Sequence, residues 1–294
     1  MIKYMLVLLV LLSSRLVEGQ SVLQVISKNI EKTLPYKSGY ELSIDGEKAD
    51  VTVQAGNTSV IKVSVEIVAK HIDLTTARLD LEQVQFDAEL QGRKVVLRNF
   101  IKPYPNGKKP ASSIKTKYLI VVPSDCAVQL KNNFGKTNVS NLYNFLQMYT
   151  EFSQVGLNNI KGTVSVDSKF GDIYAKNIDG DVKINTRRSN ITMSDLRGNY
   201  QIQMSYGKAN ISSNLEPINL NIQGDHADIL FLPFNKPYSY DLNTKSGLID
   251  LPQNLAFNIS DAGQNVKSAY LRPQGQIRGV VTIKMNFGNI KVVN

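Results

Sequence analysis

One cysteine, two histidines and no tryptophan in 294 residues exclude several chemistries at once. With Cys126 alone, no intrachain disulfide can form. Cys126 alternates with Val128 and Leu130, the pattern of a small inward-facing apolar residue with an inert thiol. His71 and His226 lie far apart and belong to no paired His or Cys motif of the kind zinc requires, so no metal ligand is assigned. The Asp179–Gly180–Asp181 pair does not recur at regular intervals, as a calcium-binding roll would demand. There is no G-x-S-x-G elbow, and Cys126 has no local catalytic partners. No catalytic residue and no cofactor are therefore assigned.

Long apolar runs are also scarce. The one that stands out, Met5–Leu12, follows Lys3 and precedes Ser13, Ser14 and Gly19. It is too short to cross a bilayer comfortably, which takes about 20 residues. Residues 1–19 read as a signal peptide cut before Gln20. The competing reading, an uncleaved anchor, is opposed by Arg15 and Glu18. The expectation is an exported chain with no membrane span after signal removal, resident in the periplasm or at the cell surface or beyond it.

Acidic residues are outnumbered. The formal charge is +9, and +8 without Lys3, Arg15 and Glu18. A basic exported protein suits anionic polysaccharide or lipid headgroups, or is simply soluble. Nucleic acid is not expected as a partner, because the densest basic cluster is Lys108–Lys109 with Lys102, Lys115 and Lys117 nearby.

What the chain has in abundance is a period. Phe134, Phe152, Phe170, Arg188 and Tyr206 stand 18 residues apart. On the same period Leu130, Met148, Val166, Ile184, Ile202 and Leu220 form an apolar column, and Asn141, Asn159, Asn177 and Asp195 a polar one. Gly162, Gly180 and Gly198 fall on consecutive rows. A fixed period below the helical repeat lengths indicates a solenoid. Each 18-residue coil contributes short strands and turns, and coils stack by parallel pairing at about 4.8 Å. One coil cannot bury its own apolar side, whereas a stack makes a continuous core. The Asn column is expected to bond along the stack and to satisfy buried turn amides. The ring column reads as a structural ladder, with Arg188 poised for a cation–π contact; the alternative is a strip on which sugars stack.

The N-terminal part differs. Residues 21–38 read as a lead-in, partly helical and ending near Pro35. Strand alternation begins at Tyr40, Leu42 and Ile44 and continues through Val51, Val53 and Ile61–Ile67. Ala77, Leu81, Val84 and Ala88 share helical spacing, which predicts one amphipathic helix near 73–90, N-capped by Asp73 and ended by Gly92. Two short strands are the alternative, because Val84, Phe86 and Ala88 also alternate. Lys102–Ser113, with Pro103, Pro105 and Pro110, reads as an exposed loop. The fold class is therefore all-β. Residues 20–122 form a strand-rich part with one helix that caps or continues the stack, and 123–294 form the β-solenoid.

Four units carry a resemblance: Lys169-Phe-Gly-Asp-Ile173, Ser205-Tyr-Gly-Lys-Ala209, Lys245-Ser-Gly-Leu-Ile249 and Asn286-Phe-Gly-Asn-Ile290. With the strand-rich front part, they make residues 39–294 resemble the bacterial envelope proteins of the adhesin-like β-strand-repeat family of uncharacterised function. Arg187–Arg188–Ser189 departs from the aromatic-Gly pattern. The resemblance implies an envelope role and transfers no catalytic residue.

The leading expectation is a non-enzymatic exported module for adhesion, scaffolding or binding of an extracellular or envelope polysaccharide. A second is an accessory of envelope-stress signalling that acts through an envelope protein. A third is a glycan-active enzyme, for which Asp167, Asp172, Asp179 and Asp181 are the carboxylates on offer.

Overall fold

The computed structural model describes residues 22–105, 107–234, 236–261 and 267–293; the proposed signal peptide, 1–19, lies outside them. The centre of the molecule is a parallel β-solenoid. Strands β8 (Ala127–Ser140), β9 (Phe145–Lys169), β10 (Ile173–Arg187), β11 (Ile191–Ser212) and β12 (Ile218–Leu232) stack in chain order. Leu130 pairs with Met148, Val166 with Ile184, and Ile184 with Ile202, a constant offset of 18 residues. At Gly198–Ile218 the offset becomes 20. Alternate residues point inward, so the apolar column becomes a buried row: Leu130, Met148, Val166, Ile184 and Ile202 are all at most 1% exposed, and the change of offset makes Ile222 its next member, because Leu220 pairs with Tyr200. Fully burying one such side chain contributes about 1.5–3 kcal/mol. Repetition of that gain in every coil lets the fold dispense with disulfides.

Both ends of the stack are built out of chain order. Strands β2 (Glu41–Glu47) and β3 (Ala49–Gly56) form a coil inserted between β8 and the later strands β6 (Lys94–Ile101) and β7 (Ser113–Pro123). At the other end β17 (Val280–Phe287) and β18 (Ile290–Val292) slip between β12 and the earlier strands β13 (Ser239–Ser246) and β14 (Ile249–Asp250).

Antiparallel strands then close each end. Strand β4 (Val60–His71) runs against β7, and β1 (Gln24–Pro35) against β4. Strand β5 (Val84–Gln91) runs against β6. Strand β16 (Lys267–Leu271) runs against β13, and β15 (Asn258–Asp261) against β16. Reversing the final strand interrupts the parallel ladder that another solenoid could extend. Strand β1 adds Lys28, Glu31, Lys32 and Pro35, which discourage pairing at an edge.

Two sequence expectations are corrected here. The lead-in is strand, not helix: β1 pairs with β4 along its whole length, from Gln24–His71 to Pro35–Val60. The helix near 73–90 is only α1 (Leu74–Glu82). Its N-terminus is as expected, with Asp73 Oδ2 accepting from the Thr76 amide at 2.7 Å. Its end is not. Val84, Phe86 and Ala88 satisfy both helical and strand periods, and pairing with Ile101, Asn99 and Leu97 of β6 decides for strand. Gly92 accordingly serves the turn between β5 and β6.

The proline-rich loop at 102–112 is fastened rather than free-standing. Asp80 of α1, 1% exposed, accepts from the Tyr104 hydroxyl at 2.5 Å and from the Ser112 amide at 2.7 Å.

Candidate functional site

The ring-bearing column marks one corner of the coil. Phe134, Phe152, Phe170, Arg188 and Tyr206 all adopt left-handed backbone, with φ between 51° and 62°. Bulky residues rarely do so without support. The support is mutual stacking. Ring centroids are 5.0 Å apart for Phe134 and Phe152, inclined by 3°, and 4.8 Å apart for Phe152 and Phe170, inclined by 6°. Arg188 lies 5.7 Å from the Phe170 ring and 5.8 Å from the Tyr206 ring. His226 and Phe287 extend the column, with centroids 5.0 Å from Tyr206 and 4.6 Å from His226 respectively. The row arithmetic missed these two, because the offset grows to 20 at His226 and Phe287 arrives from the inserted C-terminal coil. Inner rings of the column are covered by their neighbours on both faces, so the corner is built as a spine, with Phe134 and Phe287 as its half-exposed end members.

The residue after Phe170 is tightly constrained. A Cβ at Gly171 would lie 2.0 Å from the Ser153 carbonyl oxygen of the previous coil, so close approach of the backbones requires glycine at 171, whereas Ser153, Ser189 and Ala227 hold the same place in alternate coils.

Asn141, Asn159, Asn177 and Asp195 form a second left-handed column, with φ between 54° and 60°. Asn159 donates to Asn141 Oδ1 at 2.8 Å, and Asn177 to Asn159 Oδ1 at 3.1 Å. Asn159 also donates to the Tyr143 hydroxyl oxygen at 2.8 Å. The expectation that this column satisfies buried turn amides needs correction. Its bonds run between side chains, and Asn141 and Asn177 are exposed. These residues occupy the column because a short polar side chain tolerates left-handed backbone.

Amide capping falls instead to a column the sequence reading overlooked. Asp172 Oδ1 accepts from the Asn190 amide at 2.9 Å, Asn190 Oδ1 from the Lys208 amide at 3.1 Å, and Asp228 Oδ1 from the Asn289 amide at 2.9 Å. The signal was present in the Gly-Asp and Gly-Asn steps of the aromatic-Gly units.

The candidate carboxylates are dispersed among structural tasks. Asp172 caps, Asp181 accepts from Asn199 Nδ2 at 2.8 Å, and Asp179 lies 4.0 Å from Arg197. Asp167 borders a shallow hollow with Lys131, Tyr149, Glu151 and Lys169. Cys126 is fully buried, and burial pushes its thiol up to about 12. Among the described residues no three His, Cys, Asp or Glu side chains gather as metal ligands.

What remains available to a partner is the lateral surface. Outward residues stand in register from coil to coil. On one face Lys183, Gln201 and Asn221 are neighbours, beside Asn185, Gln203 and Gln223. Gln201, Gln203, Asn221 and Gln223 are exposed, and their side chains have no hydrogen-bond partner among the described residues. Such a face offers donors and acceptors at the inter-coil step.

This architecture has counterparts. The model of the family described as Toastrack DUF4097 matches residues 40–293, all of β2 through β18. The chain belongs to the Toastrack DUF4097 family. A solved "putative adhesin" from Parabacteroides merdae is 13% identical, with a TM-score of 0.47, covering 91% of this chain and 97% of that one. Another from Bacteroides fragilis is 13% identical, with a TM-score of 0.44, covering 90% and 97%. A "putative lipid binding protein" from Parabacteroides distasonis is 10% identical, with a TM-score of 0.37, covering 91% and 97%. No curated protein matches the chain. Among the described residues no helix is long and apolar enough to cross a membrane.

Proposed function

We propose that this Toastrack chain is a non-enzymatic exported module that holds an extracellular or envelope polymer along the sides of its solenoid. The observation that carries the reading is the register of the lateral faces. Amide side chains recur at the same step on adjacent coils, as in Asn185–Gln203–Gln223 and Gln201–Asn221, so an extended chain meets similar weak contacts in series. The adhesin names of the similar structures agree with this reading. A membrane-surface or protein partner is the second reading, favoured by the net charge of +9.

Retention of the chain Gln20–Asn294 on isolated envelope fractions and a polysaccharide panel tests the proposal. Saturable binding that survives high salt supports it. Binding abolished by salt reflects charge alone, and retention only by a specific protein favours the partner reading.

A further inference from the structure

We infer that a slot over Gly156, walled by Tyr174, receives one uncharged sugar ring of a polysaccharide; the inference rests on the polymer-binding reading and gives it a site. In the outward column Asn138–Gly156–Tyr174–Thr192, consecutive members are paired across adjacent coils. Gly156 is the one member without a side chain; the exposed Asn138 amide leans over it, its Oδ1 2.3 Å from where a Cβ would sit, and both line a hollow of about 450 Å³ on the sheet face.

This glycine differs from those that the stacking demands. At Gly162, Gly171, Gly180 and Gly198 an added Cβ would meet a backbone carbonyl oxygen at 1.9–2.2 Å. At Gly156 it would meet only the side-chain oxygen of Asn138, at 2.3 Å, with the nearest backbone atom at 3.9 Å. A small movement of one exposed amide would admit a larger residue. Nor does Gly156 adopt the left-handed backbone that favours glycine. The fold therefore does not need a glycine here, and the Asn138 amide that covers it can turn aside for a ligand.

The lining suits a sugar. Tyr174 is 44% exposed and supplies an aromatic wall for the apolar side of a ring. Asn158, Thr192 and Ser194 supply amide and hydroxyl groups, and neither their side chains nor the Tyr174 hydroxyl has a hydrogen-bond partner among the described residues. Lys176 is the only charged residue of the lining, although the chain as a whole carries +9. Amides and hydroxyls outnumber that one charge, so the lining suits hydroxyl-rich rings.

The test is affinity electrophoresis of Gln20–Asn294 in gels containing neutral polysaccharides (dextran, mannan, xylan) or acidic ones (polygalacturonate), at high salt. Gly156→Val fills the slot and Tyr174→Ala removes its wall. Each is expected to weaken retardation by a neutral polysaccharide about tenfold. Gly156→Val should keep the melting temperature of the wild type, and Tyr149→Ala, outside the lining, should keep its binding. Wild-type retardation that both Gly156→Val and Tyr174→Ala leave intact overturns the slot while sparing the polymer-binding reading. Retardation by the acidic polymer alone does the same. A wild type retarded by none overturns both.

Discussion

The guanidinium of Arg188 is held between two rings, 5.7 Å from Phe170 and 5.8 Å from Tyr206. It replaces an aromatic residue in the spine without interrupting the stack. Arg188→Ala is expected to destabilise by about 1 kcal/mol, the scale of a cation–π contact near the surface. Arg188→Phe should restore most of that loss by completing the ring stack. Urea-unfolding midpoints of the two variants check both statements.

Asn159 combines a φ of 54° with bonds to Asn141 and Asn177. Asn159→Leu places a bulky side chain in left-handed backbone and severs both bonds. A loss of about 1–2 kcal/mol is expected. Asn159→Gly, which removes the backbone cost and retains only the bonding loss, should lie closer to wild type. A melting temperature unchanged by Asn159→Leu would contradict the role given to this column.

Gly180 and Gly156 should respond in opposite ways. A Cβ at Gly180 would sit 1.9 Å from the Gly162 carbonyl oxygen, and its φ is 151°. Gly180→Ala should therefore cost about 3 kcal/mol or prevent folding. Gly156→Ala should be neutral. Soluble yield and thermal unfolding of the pair discriminate between them.

Burial alone would raise the Asp80 carboxyl. The bonds it accepts from Tyr104, Ser112 and Ala111 outweigh that and hold it below the usual carboxylate range. A group depressed in the folded state contributes stability that is complete above its unfolded value and is lost as the pH falls through the folded one. The Asp80 contribution is thus complete at neutral pH and begins to decline below about pH 4. Asp80→Asn should be less stable than wild type at pH 7, with the gap narrowing at pH 3. It should also free the loop at 102–112, which limited trypsin digestion at its lysines would detect.

Cys126 is fully buried with its thiol pushed up to about 12. Native protein should resist a thiol reagent at pH 8, and label stoichiometrically once unfolded. Rapid native labelling would contradict the packing of β8 against the inserted coil.

The solenoid was legible because its period is written in single columns: a residue such as Ile184 is both 18 after Val166 and 18 before Ile202, and the pairing repeats that arithmetic. His226 and Phe287 escaped because a change of offset and an inserted coil break the arithmetic while preserving the contact. The end of α1 escaped because Val84 and Ala88 fit two periods, and only the partner strand β6 chooses between them. Lateral recognition is the least legible part. Gly156 looks like any other glycine of the repeat until the space around its missing side chain is compared with that around Gly180.

The dependence of affinity on chain length tests the central claim most directly. Gln20–Asn294 would be titrated with a retained polysaccharide cut to graded lengths, and each ligand sized again afterwards. A lateral face with repeated weak contacts predicts affinity that climbs with length over several coils, and ligand recovered at its original size. Affinity independent of length, or shortened ligand, would contradict it.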